Sequence, residues 1–129
     1  MPSTRQTIAD AAAALGLTAD TLRYYEKDGL LLRPVPRDPS GHRRYESTDL
    51  RWIELVTRLR STGMPIRDVR RYAELVRTGE GTEEERLALL QNHREQVLRQ
   101  LAEVQAHLAA IEYKIDVYAG RLVELERSA

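Results

Sequence analysis

Residues 7–29 read Thr7-Ile-Ala-Asp-Ala-Ala-Ala-Ala-Leu-Gly-Leu-Thr-Ala-Asp-Thr-Leu-Arg-Tyr-Tyr-Glu-Lys-Asp-Gly29. Ile8, Ala11, Ala12 and Leu15 recur at helical spacing, so the stretch Ile8–Leu15 is expected to be a helix with one apolar face. Thr7 followed three residues on by Asp10 is a capping-box arrangement, and Gly16 stops the helix in a turn. Thr18 opens a second helix, Ala19–Asp28, closed by Gly29, with Leu17 and Leu22 placed as a hydrophobic staple. Two short helices joined by a tight turn carrying glycine have the layout of a helix-turn-helix. Helix corners that bind nothing share that layout, so the rest of the chain must decide.

Downstream, Leu30–Arg33 is short and apolar, Pro34, Pro36 and Pro39 follow, and Asp38-Pro-Ser-Gly41 is a strong turn signal. With His42–Glu46 as a returning strand, this reads as a small hairpin, or wing, with Arg37, Arg43 and Arg44 near its tip. Period-two alternation puts Arg43 and Tyr45 on one face of that strand. Ser47 or Thr48 is expected to cap a third helix, Asp49–Ser61. After Gly63, Pro65 opens a fourth, from Ile66 to about Thr78.

Thr82-Glu-Glu-Glu85 is a capping-box sequence, and no proline follows it. A single helix from about Glu83 to Glu126 is expected. Its apolar positions fall into two heptad sets. The first is Leu87, Leu101, Leu108, Ile115 and Leu122, broken by Arg94. The second is Leu90, Val97, Val104, Ile111, Tyr118 and Leu125. A 3.5-residue stripe of this length is a coiled-coil seam, and a chain this small cannot cover it alone. A homodimer is expected, with Leu101, Val104, Leu108, Ile111, Ile115 and Tyr118 at its centre. The fold class is therefore mainly α: a winged helix-turn-helix domain over 5–76, including the helix pair, and a long coiled-coil dimerisation helix over 82–126.

Composition narrows the function. The 129 residues contain no cysteine and no phenylalanine. Disulfides, thiolate metal sites and thiol chemistry are thereby excluded. The three histidines, His42, His93 and His107, make no HxxxH or HExxH pairing, so no metal site or cofactor is expected. There is no nucleophile elbow, phosphate-binding glycine loop or paired catalytic carboxylate, and the chain does not read as an enzyme. No apolar run approaches the roughly 20 residues of a membrane span, and no apolar signal segment follows the N-terminus. A cytoplasmic protein is expected.

The net charge of zero hides an asymmetry. Residues 1–76 hold 13 Lys and Arg against 10 acids, and residues 77–129 hold 7 against 10. A basic front half suits a polyanionic partner. The alternative is a coiled-coil protein-interaction module without specific DNA binding.

Three stretches resemble one family. Thr21-Leu-Arg-Tyr-Tyr-Glu26 with Gly29-Leu-Leu31 is similar to the most recognisable motif of the MerR family of bacterial transcription regulators. Gly41-His-Arg-Arg-Tyr45 with Asp49-Leu50 is similar to that family's wing, and Arg58-Leu-Arg60 with Gly63-Met64 to its next helix pair. The resemblance covers residues 6–76. It implies an antiparallel homodimer on double-stranded promoter DNA, whose recognition helix Thr18–Asp28 enters the major groove. It also implies binding between two promoter elements, distortion of the spacer in response to an effector, and presentation to RNA polymerase.

On that basis Thr18, Thr21, Arg23, Tyr24, Tyr25, Lys27, Arg43, Arg44, Tyr45 and Arg60 are the expected DNA-binding residues. One of the adjacent tyrosines is expected to face DNA and the other to be partly core, because they stand about 100° apart on the helix. Asp20, near the start of the recognition helix, is a departure from members that carry Arg there. It suits cytosine recognition or helix capping.

The dimerisation helix resembles the subgroup that senses aldehyde or nitrosative stress. That subgroup often carries a cysteine in its third helix, where this chain has Thr57-Arg-Leu-Arg60. Thiol sensing is thus excluded. The chain ends soon after the coiled coil, so no separate ligand-binding domain is expected. A small-molecule effector would then bind within the dimer, near Trp52, Tyr72, Tyr113 and Tyr118. The competing reading is that these rings simply fill the core. His93 and His107 are expected to be solvated.

Overall fold

The computed structural model describes residues 5–129, which form five helices: α1 (Ile8–Leu15), α2 (Ala19–Lys27), α3 (Ser47–Ser61), α4 (Ile66–Thr78) and α5 (Glu83–Ser128). The chain divides into two compact units, Met1–Gln91 and Asn92–Ala129. Leu89 and Leu90, in the first turns of α5, pack against the core of the first unit.

Local chemistry sets the first two helices. Thr7 Oγ1 accepts from the Asp10 amide at 3.1 Å and Thr18 Oγ1 from the Thr21 amide at 3.1 Å, so each helix start has a satisfied donor. Gly16 ends α1 at φ 68°, a left-handed conformation that a Cβ would strain. The Leu17 amide then bonds back to the Ala12 carbonyl at 2.9 Å, fixing the turn into α2.

Two expected caps form differently. The N-cap of α3 is Glu46, not Ser47 or Thr48; Glu46 and Asp49 make a reciprocal capping box. Arg33 rewards that choice by bonding both carboxylates, Glu46 at 2.7 Å and Asp49 at 3.2 Å. At α5, the Thr82 hydroxyl shares its one proton backwards between the Leu75 and Gly79 carbonyls, each 2.8 Å away. Glu85 turns to Arg71 at 2.8 Å, so the expected Thr82–Glu85 box is replaced by links to α4.

The core joins α1 through α4 with the segment between α2 and α3. Ala11, Leu22, Leu30, Tyr45, Ile53, Val56 and Val69 are each fully enclosed. Burying a Leu- or Ile-sized side chain contributes about 1.5–3 kcal/mol, so this cluster carries the first unit. Trp52 stacks on Tyr72 with ring centroids 5.6 Å apart, and its indole N–H donates to the Leu30 carbonyl at 2.7 Å.

In the second unit, α5 presents its apolar residues to solvent. Leu101, Val104, Leu108, Ile111, Ile115, Tyr118, Leu122 and Leu125 are between 50% and 67% exposed. His107 is exposed. His93 is buried, against the expectation of a solvated residue. It lies one turn beyond Leu89 and Leu90 on the same helix face, before the exposed stretch begins.

Candidate nucleic-acid interface

The hairpin that follows α2 is smaller than its sequence suggested. Leu30 and Leu31 enter the core instead of pairing as a strand. Pairing is confined to Pro36–Arg44: the Arg44 amide donates to the Pro36 carbonyl at 2.7 Å, and the Asp38 amide to the His42 carbonyl at 2.9 Å. Asp38 shapes the turn by accepting from the Ser40 and His42 amides at 2.9 and 3.0 Å. These bonds, with the neighbouring Arg44 guanidinium, hold its carboxyl below the usual carboxylate range. Beyond the hairpin, Tyr45 pairs with Gln6 in both directions, tying the return segment to the chain ahead of α1.

Glu26 locks this hairpin to α2. Its Oε1 accepts from Arg43 Nε at 2.7 Å, its Oε2 accepts from the Val35 amide at 2.6 Å, and Arg37 lies 3.9 Å away. The motif Tyr24-Tyr25-Glu26 contained this residue, but no spacing in the sequence reveals that its partners lie at 35 and 43. The helix pair is tied to the same region. Arg70 donates to the Asp28 carboxylate at 2.6 Å, and Arg77 to the Leu31 carbonyl at 2.6 Å.

The outer side of α2 carries most of the expected contact residues. Thr18, Arg23, Tyr24 and Lys27 are exposed and Thr21 is half-buried. Tyr24 is 49% exposed whereas Tyr25 is 7% exposed, so one of the adjacent rings faces out and the other packs inward. Asp20, fully out in solvent, pairs with Arg23 at 2.9 Å.

A pocket of about 210 Å³ lies where the start of α1, the middle of α2 and the hairpin converge. Arg23, Arg37, Arg43 and Arg44 all line it. Each of the four is paired with a carboxylate, Arg23 with Asp20, Arg37 and Arg43 with Glu26, and Arg44 with Asp38, so four guanidinium groups meet three acids around this concavity.

Other expected contact residues are placed differently. Tyr45 is fully enclosed, so alternation along the strand does not bring it out with Arg43. The pairing with Gln6 turns its ring into the core. Burial also pushes its hydroxyl above the ordinary phenol range. Tyr25 likewise belongs to the core. Arg60 folds back to donate to the Met64 carbonyl at 2.7 Å, closing the α3–α4 turn. Arg43 and Arg44 stand at the pocket but each is held by a carboxylate, Glu26 and Asp38 respectively.

Of the aromatic residues expected at an effector site, Trp52 and Tyr72 are brought together, as a stack packed against the core. Tyr113 and Tyr118 are exposed on α5, and Arg121 lies 5.9 Å from the Tyr118 ring centroid. Among the described residues there is no cluster of His, Asp and Glu able to hold a metal ion, and no helix is long and apolar enough to cross a membrane.

A capped helix pair with an exposed second helix, flanked by an arginine-rich hairpin, is the layout of helix-turn-helix DNA-binding proteins. Comparison with known proteins makes this specific. The pattern described as MerR HTH family regulatory protein matches residues 6–75, and that described as MerR, DNA binding, matches residues 50–116. The chain belongs to the MerR family of DNA-binding transcriptional regulators.

It is 44% identical over 112 residues to an uncharacterized HTH-type transcriptional regulator of Haemophilus influenzae, covering 87% of this chain and 82% of that protein. It is 41% identical over 91 residues to the HTH-type regulator AdhR of Bacillus subtilis, covering 70% and 64%. Among solved structures it is similar to HiNmlR, a MerR family regulator lacking the sensor domain and bound to promoter DNA. That match has a TM-score of 0.79 and 43% identity, covering 88% of this chain and 90% of the other. A MerR family structure from Listeria monocytogenes matches with a TM-score of 0.85 and 35% identity, covering 95% and 92%.

Proposed function

We propose that this regulator binds promoter DNA as a homodimer and acts there on RNA polymerase. The convergence of Arg23, Arg37, Arg43 and Arg44 beside the exposed face of α2 carries the reading. In it, residues 5–76 are the DNA-binding domain. Thr18, Thr21, Arg23, Tyr24 and Lys27 enter the major groove, and the hairpin arginines grip the adjacent backbone. Tyr25, Tyr45 and Arg60 contribute by holding the fold that presents these groups. Residues 82–126 form the dimerisation helix, and the exposed apolar row on α5 is the observation that favours a second copy. The similarity to HiNmlR on promoter DNA supports the same target class.

The protein works in the cytoplasm, with no catalytic activity of its own. Control follows the family's route, in which an effector-dependent change distorts an overlong promoter spacer. A small, mostly apolar effector would enter the cleft of about 300 Å³ lined by Leu31, Leu32, Arg33, Thr48, Asp49 and Trp52. No cysteine is available to it, so its action survives reducing agent.

The test is equilibrium binding to the duplex upstream of the protein's own gene, against a random duplex, at about 150 mM salt, where phosphate contacts alone are weakened. Preference for the upstream duplex is expected, and Arg23→Ala should weaken it by about 1–3 kcal/mol while the dimer persists. Equal binding to both duplexes would overturn the reading.

A further inference from the structure

The first turn of α2 holds a residue that an all-purpose DNA-binding surface would exclude. Asp20 has a side chain 94% exposed, and its Oδ1 accepts from Arg23 Nη1 at 2.9 Å, with Arg23 itself 49% exposed. A carboxylate on a helix facing DNA is repelled by every phosphate it approaches. Its ion pair with Arg23 does not account for it, because exposed pairs of this kind contribute little to stability. The start of the helix is already capped by Thr18, so Asp20 is not needed as the cap.

The chemistry of the major groove offers the acid a partner. An ionised carboxylate only accepts hydrogen bonds, and the accessible donors on base edges are the amino groups of cytosine and adenine. Arg23 only donates, and guanine O6 and N7 are the acceptors its fork fits. A C·G pair presents the cytosine amino group beside guanine O6 and N7, which is the complement of a carboxylate held beside a guanidinium. The 2.9 Å contact supplies that juxtaposition before DNA arrives.

We propose that Asp20 and Arg23 act as a joined reading head for one C·G base pair in each half-site. Asp20 accepts from the cytosine amino group and Arg23 donates to guanine. Asp20 is thus a specificity-determining residue that also weakens binding to every other sequence. This rests on the reading of the protein as a sequence-specific promoter-binding dimer.

The experiment is selection from a randomised duplex pool by the full chain and by Asp20→Asn and Asp20→Ala, each checked for helix content and oligomeric state. The native chain is expected to enrich half-sites with a C·G pair at one position. Asp20→Asn should shift that position toward A·T, since an amide pairs with adenine N6 and N7. Asp20→Ala should keep only the weaker guanine preference that Arg23 alone supplies and bind random duplex severalfold more tightly, with a steeper salt dependence. An undiminished C·G preference in either variant overturns the assignment while leaving promoter binding intact. Failure of the native chain to enrich any consensus overturns both.

Discussion

Glu26 Oε1 and Arg43 Nε, seventeen residues apart in the chain, meet at 2.7 Å and join the exposed helix α2 to its hairpin. The second oxygen of the same carboxylate accepts from the Val35 amide at 2.6 Å. One side chain therefore holds the residue entering the hairpin and an arginine of its return side against the helix. The distance between the α2 contact residues and the hairpin arginines depends on it.

Glu26→Ala leaves the partly buried Val35 amide and the Arg43 guanidinium without their acceptor. A loss of about 1–3 kcal/mol in unfolding free energy is expected, the range for stranding such donors. Urea denaturation measures it. Glu26→Gln, which keeps one acceptor oxygen, should lose less. Promoter affinity should fall in both, because α2 and the hairpin no longer hold one spacing.

Tyr45 separates a core role from a contact role. Its hydroxyl is enclosed and makes no hydrogen bond among the described residues. Tyr45→Phe removes a polar group that burial penalises, so thermal stability should stay level or rise. DNA affinity should be unchanged. A drop in affinity with stability intact would return Tyr45 to the DNA-contacting set.

Leu108 lies in the middle of the exposed apolar row on α5. In the proposed dimer, Leu108→Lys puts an unpaired ammonium in the seam and should shift the protein toward monomer, read by sedimentation. DNA affinity should fall with it, since a monomer holds one half-site. A dimer as tight as the native one would remove this residue from the interface.

Asp38 gives the hairpin a pH dependence. Its carboxyl is lowered in the folded protein, first by the His42 amide and then by the Ser40 amide and Arg44. Its contribution is therefore full above the unfolded carboxylate range, near 4, and is lost as pH falls through the lower folded value. Acid unfolding should show a slope below about pH 4 that is shallower in Asp38→Asn. An unchanged slope in the variant would mean that the turn does not depend on the charge.

The sequence by itself determined the helices and the apolar row along α5. Caps, glycine stops and heptad spacing act within four or so residues, so Thr7, Thr18, Gly16 and the row from Leu101 to Leu125 could be read directly. The family was legible for the same reason, in three short motifs. Tertiary structure decided which partner holds each functional side chain. Arg43, Arg44 and Arg60 look alike on paper, yet Glu26, Asp38 and the Met64 carbonyl each claim one. Glu46 displaced Ser47 and Thr48 as the cap of α3, where Arg33 joins its box with Asp49. Tyr45 turned inward because Gln6, thirty-nine residues earlier, pairs with its backbone. Such partnerships form between segments that only the folded chain brings together, and no local periodicity encodes them.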